Sequence, residues 1–256
     1  MRRTAVIAIA LCLLSTGAAQ ACRLALALAL DVSGSVDADE YRLQMSGLAN
    51  ALGSPDVEAA LFAIPDAPVA LSVFEWSSSD YQRIVQNWVL INDRNILDEV
   101  RANLYTWERQ KAPEATGLGS ALLFAKDLFQ AGPKCWKQTL DVSGDGKNND
   151  WPTPMSLRAN GQLDGMRINA LAITKPQTSL ENSSAIPGTN LIDYFKARVI
   201  QGPDAFVEVA RGFGDYAEAM RRKLLRELET LPVGSLPHGN RTSFDPAPTR
   251  IAQTDQ

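Results

Sequence analysis

The stretch of this chain best equipped for chemistry is Asp31-Val32-Ser33-Gly34-Ser35. It offers one carboxylate and two hydroxyls at i, i+2 and i+4, and Gly34 permits a tight turn between them. All three are hard oxygen donors, a set that suits Mg2+ or Mn2+, suits Ca2+ less decisively, and excludes metals that want thiolate or imidazole. The same residues could instead do no more than cap a following helix. Other chemistries lose their main residues. The single histidine, His238, sits in Leu236-Pro237-His238-Gly239-Asn240, which removes histidine-based catalysis, H-E-x-x-H zinc sites and haem ligation. No G-x-S-x-G elbow surrounds Ser33, Ser35 or Ser143, and Gly144-Asp145-Gly146-Lys147 lacks the full phosphate-loop spacing.

The elements that must position the loop are set by apolar periodicity. Residues 23–30 carry no polar residue after Arg23, are apolar on both faces beyond it and are too short for a helix, as a central parallel strand is. Asp31 therefore falls at the carboxyl end of a strand, where open α/β sheets build their ligand sites. A helix is expected over 37–52, and strands over 69–76 and 83–90 form an antiparallel hairpin through Ser77-Ser78-Ser79-Asp80. Helices come next, from Asn92-Asp93 through about Trp107 and over 117–130. Strands over 137–142, 168–174 and 206–210 then alternate with helices over 155–165, 190–200 and 215–231. This alternation implies one α/β domain with a mostly parallel sheet covered on both faces. Arg221-Arg222-Lys223 and Arg226 read as the solvated face of the last helix. Residues 232–256 shift to Pro, Gly, Ser, Thr and Asn and read as a disordered tail.

The 256 residues, 45% hydrophobic and 21% charged, have globular composition, which excludes disorder throughout. Residues 1–21 read as a signal peptide: Met1-Arg2-Arg3 is basic, 4–14 is almost wholly apolar, and Ala19-Gln20-Ala21 is a small-x-small cleavage site. An uncleaved anchor is the competing reading, but the apolar stretch is well short of the ~20 residues that span a bilayer. A mature chain from Cys22 would be periplasmic or secreted, with no stable membrane span. It would carry 23 basic against 29 acidic residues, a formal charge of −6 that argues against nucleic acid as a partner. Three cysteines, one of them in the leader, are too few for a metal site built from four thiolates. Cys22 and Cys135 each precede a strand. If those strands are parallel neighbours, a bridge would close about a hundred residues and contribute up to ~4.7 kcal/mol in the chain-entropy model. Two separate buried thiols are the alternative.

The Asp-x-Ser-x-Ser loop after a first strand resembles the metal-ion-dependent adhesion site of von Willebrand factor type A domains. That family adds a threonine from a second loop and an aspartate from a third. The threonine matches Thr116, in Ala115-Thr116-Gly117-Leu118-Gly119-Ser120-Ala121-Leu122; Thr106 competes but lacks the following pattern. The aspartate matches Asp145, in Asp141-Val142-Ser143-Gly144-Asp145-Gly146, although Gly144 stands where the family usually has threonine; Asp141 is the alternative. The resemblance covers roughly 23–230. Phe74-Glu75-Trp76, the run 141–149 and Ala205-Phe206-Val207-Glu208-Val209-Ala210 bring it closer still to exported bacterial type A-like proteins of uncharacterised role.

The resemblance implies a doubly wound six-stranded sheet of order 3-2-1-4-5-6 with strand 3 antiparallel, and a type A-like domain over 22–231. Strands 1 and 4 are then neighbours, the condition for a Cys22–Cys135 disulfide. It also implies Ser33, Ser35 and Thr116 on a Mg2+ (or Mn2+ or Ca2+) ion, Asp31 and Asp145 reaching it directly or through water, and an Asp or Glu of a protein partner completing the shell. Glu75, Trp76, Asn148, Asn149 and Trp151 are expected to rim the site, with half-burial in packing the plainer role for the two tryptophans. The expectation is an exported, non-enzymatic binding module. An Mg2+-dependent phosphoester hydrolase with Asp31 as nucleophile is the alternative, weakened because Ser33 stands where such enzymes want a second carboxylate. The oligomeric state and the partner's identity are not legible in the sequence.

Overall fold

The computed structural model of the chain describes residues 22–174 and 190–229. The expected signal peptide (1–21) and tail (232–256) lie outside the described residues.

The first strand, β1 (Leu24–Asp31), is buried along its whole length. Its alternation of leucine and alanine sorts two faces, because successive side chains of a strand point opposite ways. Leu24, Leu26, Leu28 and Leu30 enter one apolar cluster, and Ala25, Ala27 and Ala29 enter the other. The leucine face is covered by α1 (Ala38–Leu52), α3 (Arg94–Thr106) and α7 (Tyr216–Leu228), while α4 (Leu118–Ala131) lies over the small alanine face through Ala121, Leu122 and Ala125. The remaining strands are β2 (Val69–Trp76), β3 (Gln82–Ile91), β4 (Lys137–Gly144), β5 (Arg167–Thr174) and β6 (Val207–Arg211). They form one sheet of order β3-β2-β1-β4-β5-β6, in which only the β2–β3 pair is antiparallel. Strand order reverses at β1, between β2 and β4, the switch point at which such sheets bind ligands.

β1 and β4 run in register from Leu24 opposite Lys137 to Leu30 opposite Ser143. Cys22 and Cys135 sit just ahead of that ladder, with Cα atoms 4.6 Å apart, and form a disulfide. The adjacency on which the bridge depended is therefore present.

Several expectations need correction. A short helix, α2 (Pro55–Leu61), lies in a stretch read as a connection, with Ser54 and Pro55 at its N-cap and first positions. The helix expected over 155–165 is only α5 (Pro154–Ala159), because Gly161 and Gly165 adopt positive φ and turn the chain. α6 (Leu191–Arg198) falls inside its expected span. On α7, Arg221 and Arg222 do face acidic partners at the surface, but Lys223 is buried. Its Nζ lies 2.7 Å from Asp141 Oδ1, a close charge contact without hydrogen-bond alignment, and 2.7 Å from Glu227 Oε1.

Candidate functional site

Asp31 is the last residue of β1, and the Val32 amide extends the ladder one step by donating to the Trp76 carbonyl (2.9 Å). The chain then turns, because the Ser33 amide donates to Asp31 Oδ1 (2.9 Å), the local bond that makes aspartate a turn residue. Gly34 is pressed against the segment before α4: its amide donates to the Glu114 carbonyl (3.1 Å), and a Cβ at this position would fall 2.9 Å from that of Glu114. Helix capping is done by another residue. Asp37 receives the Asp39 and Glu40 amides, and Glu40 reaches back to the Asp37 amide in a capping box. Asp31, Ser33 and Ser35 are thereby free of that task.

Thr116 arrives from the second loop and is clamped by the third. Its amide donates to Asn149 Oδ1 (2.7 Å), and the Asn149 amide donates to the Thr116 carbonyl (3.0 Å). Asn148 Oδ1 accepts from the Gly119 amide (3.0 Å), one of the free N–H groups at the start of α4, whose N-cap Gly117 has no side chain to do so. Asp150 Oδ2 accepts from the Ser79 amide (2.8 Å) and ties the same loop to the turn after β2. Asn148 and Asn149, expected on the rim, thus also fix the loops to one another.

The side-chain oxygens form a continuous chain. Thr116 Oγ1 donates to Ser33 Oγ at 3.4 Å, Ser33 Oγ lies 3.3 Å from Ser35 Oγ, and Ser35 Oγ donates to Asp145 Oδ1 at 2.5 Å. Neighbouring oxygens on a divalent ion are about 2.9 Å apart for Mg2+ and about 3.3–3.7 Å apart for Ca2+, given their metal–oxygen distances. Beside this chain, Asp31 is fully buried and its Oδ2 has no hydrogen-bond partner. Burial pushes its carboxyl up to about 7; the Ser33 hydrogen bonds and the nearby Asp145 backbone amide oppose that shift, and the charge of Asp145 adds to it. A buried carboxylate oxygen without a partner is costly unless a cation or proton serves it. Among the described residues no three His, Cys, Asp or Glu side chains are grouped to hold a metal, so hydroxyls would have to supply part of any shell. The donor chemistry and the orphaned oxygen fit a hard divalent cation.

The competing residues are placed elsewhere. Asp141 lies inside β4 against Lys223, and the Thr106 hydroxyl donates to Ala102 of its own helix (2.9 Å). At Gly144, where type A domains usually have threonine, a Cβ would sit tightly against Asp31 Oδ2 (3.0 Å) and in ordinary contact with Trp76 (3.5 Å) and Phe195 (3.6 Å). Two rim assignments fail as well. Glu75 and Trp76 are 1% and 0% exposed, since β2 is covered on both faces. Glu75 Oε2 accepts from the Tyr41 hydroxyl (3.0 Å) and Trp107 Nε1 (3.3 Å), and Oε1 from the Tyr81 hydroxyl (3.0 Å). That cluster behind the first loop carries no spacing signal in the sequence. Trp151 is 69% exposed, and half-burial is therefore not its role.

Solved structures with the same fold include proximal thread matrix protein 1 from the mussel byssus, with a zinc-occupied MIDAS motif (15% identity, TM-score 0.54, 81% of this chain and 46% of that one). A von Willebrand factor type A protein from Catenulispora acidiphila is similar at 16% identity and TM-score 0.54 (81% and 43%). The pilus adhesin SpaC from Lactobacillus rhamnosus GG, in an open conformation, is similar at 13% and 0.51 (81% and 30%). This chain spans less than half the length of each of the three. None of the curated protein sequences is significantly similar to it. On a type A fold, and matched over residues 21–232 by the model described as "Protein of unknown function (DUF1194)", the chain belongs to that family.

Proposed function

We propose that this protein is an exported binding module that recognises an acidic group of a protein, or of another extracytoplasmic ligand, through a divalent cation of the Mg2+ type. Mn2+ and Ca2+ are the other candidates. The observation that carries this reading is the convergence of Ser33, Ser35, Thr116 and Asp145 oxygens beside the partnerless Asp31 Oδ2. When bound, the cation supplies a Lewis-acidic position that retains much of its charge, because only two carboxylates accompany the three hydroxyls. Ser33, Ser35 and Thr116 would donate lone pairs, and Asp31 and Asp145 would act directly or through water. Ser35 is exposed and Asp145 half-buried, so the cluster opens on that side, where an Asp or Glu of the partner would enter. Asn148 and Asn149 keep the loops in register, and the exposed Trp151 offers the partner an apolar contact.

The zinc-occupied site of the mussel protein and the adhesin role of SpaC support this reading by analogy of fold. For export, the support is the leader-like 1–21 sequence and the Cys22–Cys135 disulfide, a bond that persists in oxidising compartments. Residues 22–231 would then be the working domain and 232–256 its tail. No described helix is long and apolar enough to cross a membrane. The hydrolase alternative is disfavoured by geometry: Asp31 is wholly buried and Oδ1 is engaged by the Ser33 amide, a poor setting for a nucleophile.

Thermal melting tests the reading. At Mg2+ about a hundredfold above Kd, ligand linkage of about 2.7 kcal/mol should raise the Tm of the wild type by roughly 5–10 °C. Asp31→Ala and Asp145→Ala should not respond. A wild type indifferent to Mg2+, Mn2+ and Ca2+ would overturn the proposal, and phosphoester turnover lost in Asp31→Asn would favour the hydrolase. Cross-linked capture from the native envelope with and without chelator then identifies the partner.

A further inference from the structure

Residues 107–117 join α3 to α4 without helix or strand, and they deliver Thr116 to the cation site. A stretch that lacks regular backbone hydrogen bonds must be fixed by other contacts. Near its end, Ser77 Oγ donates to the Pro113 carbonyl and the Gly117 amide donates to the Ser77 carbonyl (2.6 Å). Near its start, Arg109 Nη2 donates to the Val36 carbonyl (2.5 Å). Val36 closes the turn that carries Ser33 and Ser35, because its amide donates to the Ser33 carbonyl (3.0 Å). Within that turn, the Gly34 amide donates to the Glu114 carbonyl of the same segment (3.1 Å). One segment therefore grips the turn bearing two of the site's hydroxyls and brings the third.

We infer that Arg109 is a positioning residue of the cation site, held in place by Glu75, and that this buttress governs how tightly Mg2+ is bound relative to Ca2+. The inference rests on the cation reading given above.

The part played by Glu75 follows from what surrounds it. The Arg109 guanidinium lies 5.2 Å from the centre of the Tyr41 ring. The Tyr41 hydroxyl donates to Glu75 Oε2 (3.0 Å), and the same oxygen receives Trp107 Nε1 (3.3 Å), two residues before Arg109. Glu75 thus fixes both the surface against which Arg109 lies and the chain from which it extends. Its other oxygen receives the Tyr81 hydroxyl (3.0 Å) and has Arg83 Nη1 at 3.5 Å. A carboxylate served by three neutral donors and a nearby guanidinium needs no ligand from outside. The Phe74-Glu75-Trp76 motif accordingly contributes alignment through Glu75, not recognition.

Stiffness affects the two ions differently. Mg2+ demands a near-ideal octahedron with oxygens at about 2.0–2.1 Å, whereas Ca2+ accepts oxygens at about 2.3–2.6 Å in flexible arrangements. A turn free to shift by a few tenths of an ångström is therefore worse for Mg2+. Charge alone predicts the opposite sign, since removing a guanidinium from the neighbourhood of a cation strengthens binding on that ground.

Calorimetric titration with Mg2+ and with Ca2+ tests the inference on Arg109→Ala, a partly exposed change outside the apolar clusters. Mg2+ affinity should fall about tenfold or more and Ca2+ affinity about threefold or less. Tyr41→Phe keeps the ring beside Arg109 and removes only its bond to Glu75; Mg2+ affinity should fall roughly threefold. In the metal-free protein, the Gly34 and Val36 amides should exchange about tenfold faster in Arg109→Ala, with those of α7 unchanged. Mg2+ binding that is unchanged or tighter in Arg109→Ala, an equal loss for both ions, or unaltered exchange at Gly34 and Val36 would overturn the inference while leaving the cation reading in place. Unchanged affinities in Tyr41→Phe would remove Glu75 from it. A wild type that binds neither ion would overturn the cation reading and the inference together.

Discussion

Asp31 and Asp141 are the same residue on neighbouring strands, each fully buried and each raised in pKa chiefly by that burial, yet they sit in opposite situations. Asp141 is level with Leu28 and so faces α7, where the Lys223 ammonium stands 2.7 Å away and Glu227 and Asn169 close the cluster. Asp31 ends its strand on the alanine face beneath three hydroxyls, with no fixed cation and an oxygen to spare. One carboxylate has its countercharge built into the protein. The other has hydroxyls and the like-charged Asp145 carboxylate for neighbours, in a cluster open to solvent on one side, which is what distinguishes a structural ion cluster from a site awaiting a cation.

The contrast between the two carboxylates breaks most visibly at Lys223. Lys223→Met removes the built-in cation and leaves Asp141 and Glu227 uncompensated, a loss of about 3–5 kcal/mol in urea denaturation, while the Mg2+-induced shift in Tm should survive. A loss below about 1 kcal/mol would mean the cluster does not hold α7 as described. Gly144→Thr, which restores the residue usual in type A domains, should cost about 1–3 kcal/mol by crowding Asp31, Trp76 and Phe195, and should blunt the Mg2+ response as well.

Asn149→Ala should spare stability more but weaken Mg2+ binding by about 10–100-fold in titration calorimetry, because it removes the side-chain half of the clamp on Thr116 and leaves only the backbone bond. Unchanged affinity would show that Thr116 needs no such support. The smallest effect is a change of slope. A carboxyl whose folded pKa is raised contributes stability that is full below its ordinary value of 3.8 and is lost as pH rises through the folded value. Between those limits the metal-free wild type should lose stability with rising pH, and Asp141→Asn should flatten that decline without altering the Mg2+ response. An identical slope in the variant would relocate the titration to another group.

Much of this was legible in sequence. The apolar run before Asp31, the i, i+2, i+4 oxygen spacing and the Gly-x-x-x-Ala-Leu pattern after Thr116 all depend on local periodicity, and sheet order came with the resemblance they carry. Residues whose roles depend on what packs over them were not legible. Glu75 and Trp76 end a strand just as a rim residue would, and only the covering of β2 by Tyr41, Tyr81 and Trp107 puts Glu75 out of reach. Lys223 sits in a basic run that looks solvated, and its burial depends on an aspartate eighty-two positions away. α2 has too few residues for its periodicity to stand out.

By itself, then, the sequence determined which atoms are available and where along each element they fall: hard oxygens at strand ends, leucine and alanine on alternate faces, cysteines at strand starts. Only the tertiary structure decided which of those atoms keep company. Partnership is a matter of distance across strands and helices remote in the chain, so Asp31 was left with an unserved oxygen and Asp141 was given a lysine by the same burial that makes both carboxylates costly.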